Sequence, residues 1–168
     1  MKFIKHFLIV LLVPLVQGCG FYSFSGISIS PEVKTFQVNG FQNTAALVKP
    51  GLDRQFTVSL QDLILNQTNL SLVNSGGDIV YEGEITEYYI APNAATSDNT
   101  AAQNRLTIGV SLRYYDNKDE TQDLEENFSF FFDYAASVAL VGSEEEAAHE
   151  QIFERITQDV FNATLARW

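Results

Sequence analysis

Residues 105–115 read RLTIGVSLRYY and alternate apolar with polar side chains along the whole stretch. Successive side chains of a β-strand point to opposite faces of the sheet, so this alternation indicates a strand with one buried face. The buried face would carry Leu106, Ile108, Val110, Leu112 and Tyr114. We therefore predict a half-buried strand here and assign the rest of the chain outward from it.

Two neighbouring stretches alternate in the same way. Leu124 to Tyr134 is the predicted partner strand, with one face formed by Phe128, Phe130, Phe132 and Tyr134. Phe131 points to the opposite face, where it is either a contact for a partner or an ordinary exposed residue. Upstream, Asp78 to Ile90 is also predicted to be a half-buried strand. One face would carry Ile79, Tyr81 and Ile85, and the other largely Glu82, Glu84 and Thr86. Shorter strands are predicted at residues 27–30 and 33–38.

Two further stretches have helical spacing. Leu52 to Asn66 repeats apolar residues at steps of four, four and three. A second helix is predicted after Ser143, which fits a capping box with Glu146. Its apolar stripe consists of Ile152, Phe153, Ile156, Val160, Phe161 and Leu165. These elements predict an α+β fold, in which a mixed sheet of about four strands carries two helices packed on one face.

Small and polar residues from Ala91 to Gln103 separate two of the predicted strands. They predict a long loop, and loops of this length often serve binding.

The first eighteen residues have the layout of a secretory signal, with a positive start and an apolar run from Phe7 to Val16. This run is about half of the roughly 20 residues that a membrane-spanning helix needs. It ends in Val16-Gln17-Gly18-Cys19, which resembles the lipobox of bacterial lipoproteins. We predict that residues 1–18 are removed, that Cys19 carries the lipid, and that residues 19–26 form the anchor and a short tether. The alternative is a lone secreted thiol paired with another chain.

The remaining residues, 27–168, are predicted to form one domain. Loss of the two signal lysines leaves 8 basic against 21 acidic residues and takes the formal net charge from −11 to −13. Such a chain repels polyanions, so we expect no nucleic-acid partner. Because Cys19 is the only cysteine, packing alone must stabilise the domain, without an internal disulfide.

No pattern in the sequence indicates catalysis, a cofactor or a metal. His149 is the one histidine after the signal, and it is predicted to lie on the surface. The sequence contains neither a Gly-x-Ser-x-Gly motif nor a nucleotide-binding motif. One histidine and one cysteine are too few for a zinc site. The acidic stretch from Asp116 to Glu126 is predicted to be a solvated hairpin tip, because Lys118 stands where a calcium loop needs an acid. We therefore expect a non-catalytic protein.

The whole precursor resembles the outer-membrane lipopolysaccharide-assembly lipoprotein family known as lipopolysaccharide transport component E. The similarity extends over nearly the whole chain in order and spacing, and its matching features are residues 19–26, 56–70, 77–83, 102–110 and 159–162.

The resemblance implies two helices packed on a four-stranded sheet. It also implies an outer-membrane lipoprotein that sits as a plug inside a large β-barrel, the lipopolysaccharide translocon subunit, and assists both barrel assembly and lipopolysaccharide insertion. Lipopolysaccharide itself is a further candidate ligand. The competing hypothesis is a generic lipid-anchored periplasmic adaptor unrelated to lipopolysaccharide.

Arg105 and Arg113 are an even number of residues apart on their predicted strand, so they share the face opposite Leu106. They are candidates for contact with lipid phosphates or with acids of the barrel lumen. The alternative is pairing with Glu82 or Glu84 on a neighbouring strand, which we favour because cross-strand charge pairs form readily.

Overall fold

The computed structural model describes residues 29–93 and 103–166. Their elements, in chain order, are β1 (Thr35–Val38), β2 (Gln42–Asn43), α1 (Leu52–Gln67), β3 (Ser71–Leu72), β4 (Ile79–Asn93), β5 (Gln103–Asp116), β6 (Leu124–Ala135) and α2 (Ser143–Leu165). A short 3₁₀ helix at Glu120–Gln122 precedes β6. The predicted anchor residue, Cys19, lies outside the described residues.

The six strands form one mixed sheet in the order β3-β1-β4-β5-β6, with β2 pairing β4 beside β1. Strands β1, β2 and β3 make parallel pairs, whereas β4, β5 and β6 form an antiparallel meander. The α+β prediction is confirmed. The sheet has two more strands than the predicted four, namely the two-residue strands β2 and β3. The alternation over residues 105–115 marks the inner strand of the meander.

Both helices cover the same face of the sheet. The predicted inward side chains of β5 are all buried, and in the core the ring of Phe56 from α1 lies 5.2 Å from that of Phe153 from α2. Tyr81 of β4 reaches the Thr164 hydroxyl of α2 at 3.1 Å. Among the described residues, no helix combines the length and the apolar character that crossing a membrane requires.

The predicted capping box at Ser143 is wrong. The N-cap is Gly142, which adopts φ 60°, and Ser143 is already the first helical residue, without a side-chain cap. Glycine adopts positive φ without steric cost, so the chain can turn sharply into the helix there. The Glu146 amide donates to the Gly142 carbonyl, which takes the place of the predicted side-chain bond.

Two predicted boundaries also change. Ile29 and Ser30 lie in no regular element, so the described part of the predicted strand at residues 27–30 is wrong. The loop predicted from Ala91 to Gln103 is shorter, because Asn93 of β4 still pairs with Gln103 of β5. Pro92 is tolerated in this strand because β4 pairs with no strand but β5 beyond Ile85 in the described chain, and proline suits an edge. Residues 94–102 lie outside the described residues.

A bulge in β4 also changes which residues face the core. The register with β5 shifts between Ile85 and Glu87, so Tyr88 is buried where unbroken alternation would bury Glu87. A bulge adds one residue to one strand of a pair and moves the following side chains to the other face.

Candidate functional site

The face of the sheet opposite the helices, here called the outer face, is the surface to which the sequence assigned a function. It is formed by outward side chains of β4, β5 and β6: Glu82, Glu84, Glu87, Tyr89, Arg105, Thr107, Ser111, Arg113, Tyr115, Glu125, Asn127, Ser129, Phe131 and Asp133. Arg105 and Arg113 both lie on it, as predicted.

Arg105 is held by β6 on two sides. Its Nε and Nη2 donate to the two carboxylate oxygens of Asp133 at 2.7 and 2.8 Å. The guanidinium carbon also lies 3.5 Å from the centre of the Phe131 ring, a distance at which the ring attracts a cation. The hydrogen bonds raise the pKa of Arg105 and lower that of Asp133. The prediction of cross-strand pairing was therefore right in kind, but the partner is Asp133 rather than Glu82 or Glu84.

Arg113 pairs with Glu82 on β4, as predicted, through a single hydrogen bond of 3.1 Å from Nε. This bond raises the pKa of Arg113. The side chain also borders a shallow cavity of about 190 Å³, which Asp123 and Glu125 line as well. A phosphate in this cavity would meet the carboxylates of Asp123 and Glu125, which disfavours an anionic ligand there.

Exposed aromatic rings complete the outer face. Tyr89 is 49% exposed, Phe131 40% and Tyr115 38%. Tyr89 and Phe131 flank Thr107 in one row across β4, β5 and β6. A surface that combines such rings with paired arginines has the composition common at protein interfaces.

Sequence reasoning missed a second polar cluster, on the helix-covered side. His149 is buried at 4% exposure, which contradicts its predicted surface position, and its Nε2 lies 3.1 Å from the Tyr88 hydroxyl. That hydroxyl donates to Glu145 at 3.1 Å, and Lys49 pairs with the same carboxylate at 2.7 Å. The four residues tie the loop before α1 to β4 and to the first turns of α2.

Burial and charge explain the pKa shifts in this cluster. Burial raises the pKa of Tyr88 and lowers that of His149. Burial also acts to raise the pKa of Glu145, but hydrogen bonds from Lys49 and Tyr88 outweigh it and leave the value lowered. His149 could have been placed from sequence, because it stands three residues before Ile152 and seven before Ile156, on the same helical stripe.

No three histidine, cysteine, aspartate or glutamate residues are placed to hold a metal ion in the part of the chain that the structure describes. In the hairpin tip, the Asp116 carboxylate accepts hydrogen bonds from the amides of Lys118 and Asp119. That oxygen therefore organises the turn.

Comparison with known proteins gives one family. Residues 33–164 match the model of the family LptE, described as lipopolysaccharide-assembly. No curated protein matches the chain.

Three solved structures align with this chain over most of its length at low sequence identity. A hypothetical protein from Chlamydia trachomatis is 13% identical, covers 80% of this chain and 99% of its own, and has a TM-score of 0.49. A minor lipoprotein from Acinetobacter baumannii is 14% identical, with coverages of 79% and 90% and a TM-score of 0.44. The rare lipoprotein B from Shewanella oneidensis is 13% identical, with coverages of 76% and 89% and a TM-score of 0.43.

Proposed function

The chain belongs to the LptE lipopolysaccharide-assembly family, and we propose that it acts as a non-catalytic plug inside the β-barrel subunit of the lipopolysaccharide translocon. The observation that carries this proposal is the family match over residues 33–164, which includes every described strand and nearly all of α2. In this role the chain assists barrel assembly and lipopolysaccharide insertion from the periplasmic side of the outer membrane.

The surface that we assign to the barrel is the outer face. Its carboxylates, hydroxyls and amides can exchange hydrogen bonds with a polar lumen, and its exposed rings add contact area. Arg105 and Arg113 enter such a contact already paired with Asp133 and Glu82, so binding need not desolvate isolated charges. We also propose that residues 94–102, which lie between β4 and β5 in the sequence, take part in the contact with the barrel.

Direct binding of lipopolysaccharide through the two arginines is the less favoured role. Each guanidinium is already paired with a carboxylate, and this negative charge weakens its attraction for a phosphate. Glu84, Glu87 and Glu125 on the same face would repel the phosphate as well. We therefore propose a protein partner for this surface.

Membrane attachment is proposed through lipid on Cys19. Two or more acyl chains anchor stably where one chain gives marginal affinity. Mass spectrometry of the mature N-terminus should show a diacylglyceryl group on Cys19, and an unmodified thiol there would refute this part of the proposal. Because Gly20 follows the cysteine, in place of the aspartate that retains many lipoproteins in the inner membrane, we expect outer-membrane fractions to contain the protein.

Co-purification tests the plug role. The tagged protein is isolated from detergent-solubilised outer membranes, and we expect one large β-barrel protein to accompany it. Glu87→Lys changes an exposed charge on the outer face, and the matched control Asp62→Lys makes the same change on the exposed side of α1. We expect Glu87→Lys to lower barrel recovery and Asp62→Lys to leave it unchanged.

The outcomes separate the two functions that the sequence left open. Recovery of some other partner would favour a generic lipid-anchored adaptor. Recovery of the barrel at equal yield with both variants would support the plug role but show that the outer face does not contact the barrel. Shortening residues 94–101 tests this segment in the same way, because the stability of a domain depends only weakly on the length of a connection between two strands.

A further inference from the structure

Strand β6 is the longest free edge of the sheet in the described residues, because the free edge of β4 beyond Ile85 is shorter, follows a bulge and contains Pro92. At the other side the sheet ends in β3, which has two residues, whereas β6 has twelve and pairs only with β5. Its register with β5 is regular, without a bulge, and the strand contains neither proline nor lysine. Bulges, proline and charged side chains, lysine above all, are the usual means by which edge strands avoid pairing with another chain. The charged residues in the first half of β6 are Glu125 and Glu126, which disfavour pairing with an acidic strand but not with a basic one.

The middle of β6 is nevertheless covered, at Phe130 and Phe131. Phe130 and Phe131 are successive residues, yet their rings stack with centres 5.3 Å apart. Successive side chains point to opposite faces, so rings this close must meet around the open side of the strand. Arg105 lies over Phe131 at 3.5 Å, and Arg155 of α2 approaches Phe130 at 5.6 Å. This stack of two rings and two guanidinium groups covers the edge at Phe130 and Phe131.

The first half, Leu124 to Ser129, has no such cover in the described chain. Glu125, Glu126, Asn127 and Ser129 are exposed, and Phe128 is only partly buried although it points toward the core. By contrast its partner on β5, Val110, is buried at 1% exposure. Phe128 lacks the flanking strand that Val110 has on both sides.

Charge selects the occupant of this open half. Neither Glu125 nor Glu126 forms an ion pair within the described residues, and the two carboxylates point to opposite faces of the strand. A second copy of this chain would bring two more carboxylates to the same short edge, in a protein of formal charge −11. An extended segment with basic residues would pair both the backbone and the charges.

We propose that Leu124–Ser129 is a strand-addition site for an extended, basic segment of another polypeptide, and that the Phe130–Phe131 stack sets the end of the added strand. Main-chain hydrogen bonds provide the affinity, and lysine or arginine beside Glu125 and Glu126 fixes the register. The proposal concerns the edge of the sheet and does not depend on the role of the outer face in a barrel.

The test uses the purified full chain and a synthetic peptide, Thr-Val-Thr-Val-Lys-Lys, with acetylated and amidated ends. Backbone amide exchange by NMR should show protection gained at alternate residues from Leu124 to Ser129, and none gained from Phe130 to Ala135. A peptide with proline at both the second threonine and the second valine should bind at least about tenfold more weakly. Successive N–H groups of a strand point to opposite sides, so one of the two missing donors must be one that would face β6.

A charge exchange provides the matched controls. The double variant Glu125→Lys with Glu126→Lys should no longer bind the lysine peptide. It should bind the peptide Thr-Val-Thr-Val-Glu-Glu instead. The same reversal on the exposed side of α2, Glu150→Lys with Glu154→Lys, should leave binding of the lysine peptide unchanged. Equal binding of the proline peptide would reduce the effect to charge attraction and overturn the proposal. The proposal would also be overturned if the peptide protected backbone amides along the whole of β6. It would be overturned as well if the protein self-associated and its β6 amides were protected without the peptide.

Discussion

The two faces of β5 differ in what determines their structure. The inward side chains Leu106, Ile108 and Leu112 are fully buried, and their places follow from apolar alternation. The outward side chains Arg105 and Arg113 stay partly exposed, and each is fixed by one particular carboxylate. One face is thus determined by a pattern and the other by individual pairs. The difference implies that mutations should cost much stability on the inner face and little on the outer.

The largest effect is expected where a charge enters the core. Ile156, at 1% exposure, lies in the stripe of α2 that packs on the sheet. Ile156→Asp removes buried apolar contacts and buries a charge without a partner, so it should lower the free energy of unfolding by about 4 kcal/mol or more. Gln151→Asp places the same charge at an exposed position of α2 and should change it little. Urea unfolding measures both, and similar midpoints for the two variants would show that α2 is not docked on the sheet.

Backbone packing within the meander gives the next effect. A Cβ on Gly83 would overlap the backbone oxygen of Ser111 and come within 2.8 Å of the Phe41 ring. Gly83→Ala should therefore cost about 1–3 kcal/mol, the usual range for overpacking a core. Gly40→Ala is the matched control, because nothing lies within 4 Å of its Cβ position and its φ is not positive. Equal unfolding midpoints for the two variants would contradict the close approach of β4 to β5.

Acidification should weaken the His149 cluster. Burial lowers the pKa of His149 in the folded protein, so below about pH 6.5 the unfolded chain binds a proton that the folded chain does not. The stability from neutral His149 is present above the unfolded pKa and is lost as the pH falls toward the folded value. Glu145, Glu146 and Lys49 surround the ring, and the carboxylates act to raise its pKa without reversing the shift.

The measurement compares unfolding free energies at pH 7.5 and 5.5 for the native protein and His149→Gln. The native protein should lose more stability over this interval, by at most about 1.4 kcal/mol per pH unit for one group. Carboxylates with lowered pKa values, such as Asp78 and Asp133, titrate below this interval and do not interfere. Identical pH dependence in both proteins would mean that the histidine is accessible to protons when folded.

The sequence predicted the inner face far better than the outer. Periodicity located α1, α2 and the three long strands, because burying an apolar stripe leaves a repeat in the chain. The same spacing includes His149, seven residues before Ile156, but His149 was predicted to lie on the surface and is buried. The bulge after Ile85 leaves no repeat, so the inward turn of Tyr88 could not be foreseen.

Pairing on the outer face depends on strand order and register, which one sequence does not contain. Glu82 could be named as a partner for Arg113 because both strands were predicted as neighbours. Asp133 was not named for Arg105, although β6 was the predicted partner of β5, because the register that sets these two residues opposite each other was not predicted. The edge stack of Phe130 and Phe131 was likewise invisible, since alternation places these residues on opposite faces.

The smallest effect is expected from replacing the two arginines of the outer face. The ranking of the two replacements sharpens the contrast between the faces. Arg105 makes two hydrogen bonds to Asp133 and lies over the Phe131 ring, whereas Arg113 makes one bond to Glu82. Lysine keeps the charge but loses the planar fork and the stacking, so Arg105→Lys should lower the melting temperature more than Arg113→Lys. Both shifts should be smaller than that of Gly83→Ala, because exposed ion pairs contribute little to stability. Thermal melts followed by circular dichroism at low and high salt measure the order, and a larger loss for Arg113→Lys would contradict it. Side chains of the outer face can therefore be replaced with little loss of stability, whereas those of the inner face cannot be changed without destabilising the domain.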